Sequence, residues 1–173
     1  DVIVTLPDGS TVTGTTYSAG KVNIPVTSLK EGTHSLTVSF NGNKKYDKSS
    51  TTLTIDVVKN TLTLTATQTT TPKYIGDTIS YTIKVTDSEN KLIPQFNVTA
   101  TLSYVLFSQS TTTTVDRVIT TDENGTATFE ETCAHGTYGI YFHFDGNDKY
   151  ESAQTTNKVY EITRRPSQIQ EIT

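Results

Sequence analysis

Apolar and polar residues alternate with a period of two through most of this chain, always in short runs. Ile79, Tyr81, Ile83 and Val85 are interleaved with Ser80, Thr82, Lys84 and Thr86, and Leu62 and Leu64 with Thr61, Thr63 and Thr65. Alternation of this kind puts one set of side chains on a buried face and the other in water, which describes a half-buried strand. The same reading predicts strands from Asn97 to Tyr104, around 112–120, over 126–131, from Tyr138 to Phe144 and from Asn157 to Ile162. Asp87-Ser88-Glu89-Asn90 and Asp145-Gly146-Asn147 separate them as turns. No segment carries a helical period. Seven or eight short strands in about 100 residues are the complement of an immunoglobulin-like β-sandwich.

The pattern occurs twice. Phe40-Asn41-Gly42-Asn43-Lys44-Lys45-Tyr46 returns as Phe144-Asp145-Gly146-Asn147-Asp148-Lys149-Tyr150, 104 positions later. The preceding strand repeats as well: Leu36, Val38 and Phe40 match Ile140, Phe142 and Phe144, and His34 takes the slot of Tyr138. Further back, Ser18-Ala19-Gly20-Lys21-Val22 matches Glu123-Asn124-Gly125-Thr126-Ala127, and Val2, Val4 and Leu6 match Val98, Ala100 and Leu102. A repeat of this length is one sandwich domain, not a short solenoid unit.

The two copies are unequal. Asp1 corresponds to about Asn97, so residues 1–58 are expected to be the later part of an immunoglobulin-like domain without its first two strands. Residues 59–163 are expected to form a complete one, entered through the short linker Val58-Lys59-Asn60. Residues 164–173 place Ile169 and Ile172 where a third repeat would have its first strand. The fold class expected is all-β: tandem immunoglobulin-like sandwiches, one partial, one complete, plus the first strand of a third. Val2 to Thr5 already read as strand interior with no leader before them, so the chain is expected to be a mature product or a piece of a longer one.

These motifs carry a resemblance. Gly76-Asp77-Thr78, then Thr86-Asp87-Ser88-Glu89-Asn90-Lys91-Leu92-Ile93-Pro94, Val98, Thr121-Asp122-Glu123-Asn124-Gly125-Thr126-Ala127 and Gly136-Thr137-Tyr138 resemble the bacterial and archaeal Ig-like repeats of large surface adhesins. The Phe-x-Gly-Asn-x-x-Tyr signature of each late hairpin looks most like the repeats of methanogen adhesin-like proteins. The resemblance implies the sandwich fold and an extracellular, cell-surface setting, where such domains serve as stalks, spacers or binding tips. Asn90-Lys91 stands where that family usually has a glycine, which implies a different turn type there.

Composition narrows the function classes. Thr supplies 37 and Ser 14 of the 173 residues, and there is one Cys and no Met or Trp. A lone Cys133 excludes a disulfide scaffold, and no apolar run approaches the ~18 residues of a membrane span. A net charge of -4 without a basic cluster argues against nucleic acid.

Candidate chemistry is sparse. Asp145, Asn147 and Asp148, with Asp122, Glu123 and Asn124, are the right donors for Ca²⁺. The matching first turn, Asn41-Gly42-Asn43-Lys44-Lys45, keeps the glycine and has no carboxylate, which favours hairpin turns with Gly42 and Gly146 at positive φ. Cys133 replaces Leu29 and reads as an apolar plug. His135 and His143 lack a third ligand, so neither metal nor cofactor is expected. No nucleophile elbow or His-Asp spacing accompanies the many hydroxyls, and Lys84 lies on a polar face, a poor place for a self-formed crosslink. Asn97-Val98-Thr99 and Asn124-Gly125-Thr126 fit the N-glycosylation pattern, with Asn124, in an exposed turn, the better acceptor.

The function expected is that of a structural, non-catalytic segment of an adhesin-like or fibre-forming surface protein. Its partners would be neighbouring Ig-like domains or further copies of itself. The tail at Ile169 and Ile172 would dock onto the incomplete domain of the next copy by strand addition, unless flanking residues of a longer tandem chain fill that place. The alternative is a carbohydrate- or protein-binding adhesion module for a glycan or a host or cell-surface ligand. That needs exposed aromatic residues, and only Tyr141 and Tyr74 fall off the inward positions. An accessory domain of an enzyme is a third reading.

Overall fold

The computed structural model describes residues 1–167; the tail residues Ile169 and Ile172 lie outside them. Its chain divides into two units, Asp1–Lys59 and Asn60–Thr173. All regular structure among the described residues is strand.

The second unit is a complete immunoglobulin-like sandwich. Its strands are β5 (Leu62–Gln68), β6 (Thr78–Asp87), β7 (Asn97–Leu106), β8 (Thr113–Thr120), β9 (Thr126–Thr132), β10 (Gly136–Phe144), β11 (Ala153–Gln154) and β12 (Lys158–Ile162). One sheet runs β11-β10-β7-β8, with β12 also on β10; the other runs β5-β6-β9. All these pairings are antiparallel. Ile79, Tyr81, Ile83 and Val85 of β6 and Phe129 of β9 meet Val98, Ala100 and Leu102 of β7 and Ile140 and Phe142 of β10 in one buried cluster. Phe142 is central, with Tyr81 and Phe129 edge-on to it at 5.3 and 5.7 Å. Cys133, only 2% exposed, is part of this core. Phe144 departs from the strict alternation: it lies at the end of β10, half-buried, with Phe96 edge-on at 4.8 Å.

Asn90 supplies the turn that the missing glycine leaves open. It takes φ 62, a left-handed conformation that Asn tolerates better than most residues. The Asp87 side chain accepts from the N–H groups of Glu89 and Lys91, both at 2.9 Å.

The first unit holds β1 (Val2–Thr5), β2 (Thr11–Gly14), β3 (Gly32–Phe40) and β4 (Ser49–Val57) in the single sheet β2-β1-β3-β4. By the repeat these are the counterparts of β7, β8, β10 and β12, so the unit is one layer of the sandwich. Its core is small: Val4, Leu6 and Leu36, with Ile24, Val26 and Leu29 of the β2–β3 connection packed over them.

Candidate functional site: the outer face of the β7–β8–β10 sheet

Because Ala100 and Leu102 point inward, Thr101 points outward, and the register sets it between Asp116 of β8 and Tyr141 of β10. The Thr101 hydroxyl donates to Asp116 Oδ1 at 2.6 Å. His143 Nε2 lies 3.1 Å from the same hydroxyl oxygen, and its Nδ1 lies 2.8 Å from Asp145 Oδ1. The Tyr141 ring stacks on His143, with centroids 5.4 Å apart.

An acid, an imidazole and a hydroxyl in line invite comparison with a hydrolytic triad. The proton placement runs the other way. Thr101 has one proton and gives it to Asp116, so the imidazole faces an oxygen lone pair and has nothing to abstract. Thr101 is also only 6% exposed. The arrangement therefore ties three strands together on their wet side and presents Tyr141 to solvent beside Gln154, Thr155, Thr156 and Asn157, which line a shallow recess with it.

The residues singled out from the sequence lie apart, on separate turns and at the start of β7. Asn124 is exposed, its N–H donating to Asp122 Oδ1 at 2.9 Å. Asn97 is exposed at the start of β7, its Oδ1 accepting from the Thr120 hydroxyl at 2.7 Å. Gly42 and Gly146 take φ 84 and 92. Beside them Asn43 Oδ1 accepts from the N–H groups of Lys45 and Tyr46, and Asn147 Oδ1 from those of Lys149 and Tyr150. The side-chain oxygens that a Ca²⁺ ion would need are thus engaged locally: Asp122 with its own turn, Asn147 with the hairpin, Asp145 with His143. Among the described residues no three His, Cys, Asp or Glu side chains converge as a metal site would require.

Three exposed aromatics escape the alternation rule. Tyr17, Tyr46 and Phe107 sit in loops, where period two says nothing about burial, and Phe107 is 62% exposed and stacked on His135 at 4.0 Å. The Lys45 ammonium lies 5.3 Å from the centre of the Tyr46 ring, and Lys149 repeats this on Tyr150 at 4.9 Å. Lys45 is therefore an exposed charge that lies over an aromatic face. Tyr74 is half-covered, with the Arg165 guanidinium 5.2 Å from its ring centre.

No protein-family model matches the chain, and no curated protein is similar to it in sequence. Among solved structures it is similar to dimeric latent PorU from Porphyromonas gingivalis, at 12% identity and a TM-score of 0.36, over 95% of this chain and 16% of that one. It is also similar to fibronectin(III)-like modules of Clostridium thermocellum CbhA, at 14% identity and a TM-score of 0.32, over 99% of this chain and 83% of that one. No helix among the described residues is long and apolar enough to cross a membrane.

Proposed function

We propose that this chain is a structural, non-catalytic segment of an extracellular, adhesin-like or fibre-forming surface protein, its immunoglobulin-like repeats acting as spacers. The supporting observation is the duplication itself: one sheet of the sandwich, with the same glycine hairpin and the same asparagine-capped turn, occurs twice in a single chain. Repetition of a module adds length without adding a site. The boundaries we assign are 1–58 for a partial domain, 59–163 for a complete one and 164–173 for a linker and the first strand of a following or neighbouring domain. In this reading copies join head to tail, the segment with Ile169 and Ile172 of one chain docking on the partial domain of the next. A heterologous contact of that kind need not close, and where it stays open it builds fibres.

The test is truncation after Ser167, which keeps the ion pair of Arg165 with Asp77 (2.9 Å). The second domain should melt as before while light scattering and electron microscopy show no fibres. Fibres that persist would refute tail docking.

A second reading, a carbohydrate- or protein-binding module, is favoured by Tyr141, half-buried, stacked on His143 and lining a shallow recess on the outer sheet face. A glycan array separates the two: selective binding lost in Tyr141→Ala would replace the spacer reading.

A further inference from the structure

The last strand of the two repeats is built differently. In the first unit β4 runs unbroken along β3, from Ser49 opposite Phe40 to Val57 opposite Gly32. In the second the same strand is split: β11 sets Gln154 opposite His143, and β12 resumes with Lys158 opposite Ile140. Thr155, Thr156 and Asn157 together face only Tyr141 and Phe142. The repeat length shows the insertion, since Ser49 and Ala153 are 104 positions apart and Val57 and Ile162 are 105. One extra residue in one strand is a β-bulge, a device that re-aims side chains and is frequent beside active sites. Thr155 anchors it: its N–H donates to the Phe142 carbonyl at 2.9 Å, and its hydroxyl accepts from Phe142 N at 3.0 Å.

The outer row of side chains changes at the same place. Where β10 has Gly139, Tyr141 and His143, β3 has Ser35, Thr37 and Ser39, and where Asp116 faces Thr101, Thr11 faces Thr5. The first sheet forms with hydroxyls alone at these positions, so a sheet of this plan does not require the aromatic ring, the imidazole or the glycine. Gly139 has no left-handed φ to explain it, and glycine weakens a strand interior. Its use here is spatial: the Asn157 carboxamide lies over it, with Oδ1 and Nδ2 both 3.4 Å from where a Cβ would stand. The bulge delivers Asn157 to that spot, and Tyr141, its ring stacked on His143, stands next in the row.

We propose that the recess beside Tyr141 is a binding site for a neutral saccharide. Tyr141, Gln154, Thr155, Thr156 and Asn157 line about 360 Å³, within the range of small-molecule clefts. Among the described residues no charged side chain lines it, which matches an uncharged ligand; His143 and Asp145 line a neighbouring recess that shares only Gln154. Gln154, Thr156 and Asn157 are exposed, and among the described residues their side chains make no hydrogen bond. A carboxamide offers a donor and an acceptor side by side, the complement of adjacent sugar hydroxyls, each of which does both. The Tyr141 ring offers an apolar surface for the C–H bonds of the same sugar. The proposal rests on the binding-module reading of this domain and names its ligand class.

The experiment applies the 173-residue chain to an array of neutral and acidic oligosaccharides, then titrates in the best neutral one while following backbone amides. Capture of neutral glycans is expected, with resonance shifts at Tyr141, Gln154 and Asn157. Deleting Thr156, which restores the unbroken ladder of β4, should weaken binding about tenfold or more while the second domain stays folded. Asn157→Ala, which leaves the backbone alone, should do the same and decides the matter if the deletion does not fold. Neutral-glycan binding that survives either variant overturns the proposal. If only acidic glycans are captured and Tyr141→Ala releases them, the neutral ligand fails and the binding-module reading stands. If the array captures nothing, the proposal fails, and the binding-module reading survives only through a protein ligand sensitive to Tyr141→Ala.

Discussion

The phenol oxygen of Tyr138 accepts a hydrogen bond from the backbone N–H of Ala134 at 2.8 Å, tethering the loop that leads into β10. His34, in the same slot of the first repeat, tethers its own loop with the opposite polarity, its Nε2 donating to the Lys30 carbonyl at 2.7 Å. Burial raises the Tyr138 phenol above its ordinary pKa of 10, so it stays a neutral hydroxyl. Tyr138→Phe keeps the ring and removes the acceptor. It should cost the second domain ~1 kcal/mol, read as a lower denaturant midpoint at unchanged slope.

Phe142→Ala should cost much more, ~3–5 kcal/mol, because Tyr81 and Phe129 both close on that ring and cannot collapse into the space it leaves. A thermal melt of the second domain that matches the parent would show the inward face to be assigned wrongly.

Gly146→Ala tests the hairpin. The residue sits at φ 92, where an added Cβ would also come within 3.2 Å of Ser152 N. A loss of ~1–2 kcal/mol is expected from the left-handed conformation alone. Gly42→Ala, at φ 84, should act alike on the first unit, followed by amide exchange in β3 and β4.

Acid should loosen the turns of the second domain before its core. Backbone N–H groups of Lys73 and Tyr74 hold the Asp77 carboxyl below its ordinary 3.8, and the Thr126 N–H does so for Asp122. A carboxylate with a lowered folded pKa stabilises the fold above its unfolded value, and that contribution disappears as pH falls through the folded one. The melting temperature should therefore drop as pH descends below about 4, and Asp77→Asn should make this dependence shallower. An identical pH profile in the variant would remove Asp77 from the account.

Much of the fold is legible in the chain because period two is a local property. The alternation of Ile79, Tyr81, Ile83 and Val85 names one buried face without any partner strand being known. The repeated Gly-Asn pair marks each hairpin, because a positive φ and an Asn side chain capping two N–H groups both act within a few residues. What the sequence leaves open depends on neighbours. Alternation cannot say that Phe144 stops half-buried at a strand end, or that Phe107 in a loop stays in water. The Thr101–His143–Asp116 link joins residues up to 42 apart and exists only through the register of β7, β8 and β10. Residues 21–27 show the division most plainly: their residue pattern is a strand's, but a strand also needs a hydrogen-bonding partner beside it, and only tertiary structure shows that residues 126–132 have one in β6 while, among the described residues, none pairs with 21–27.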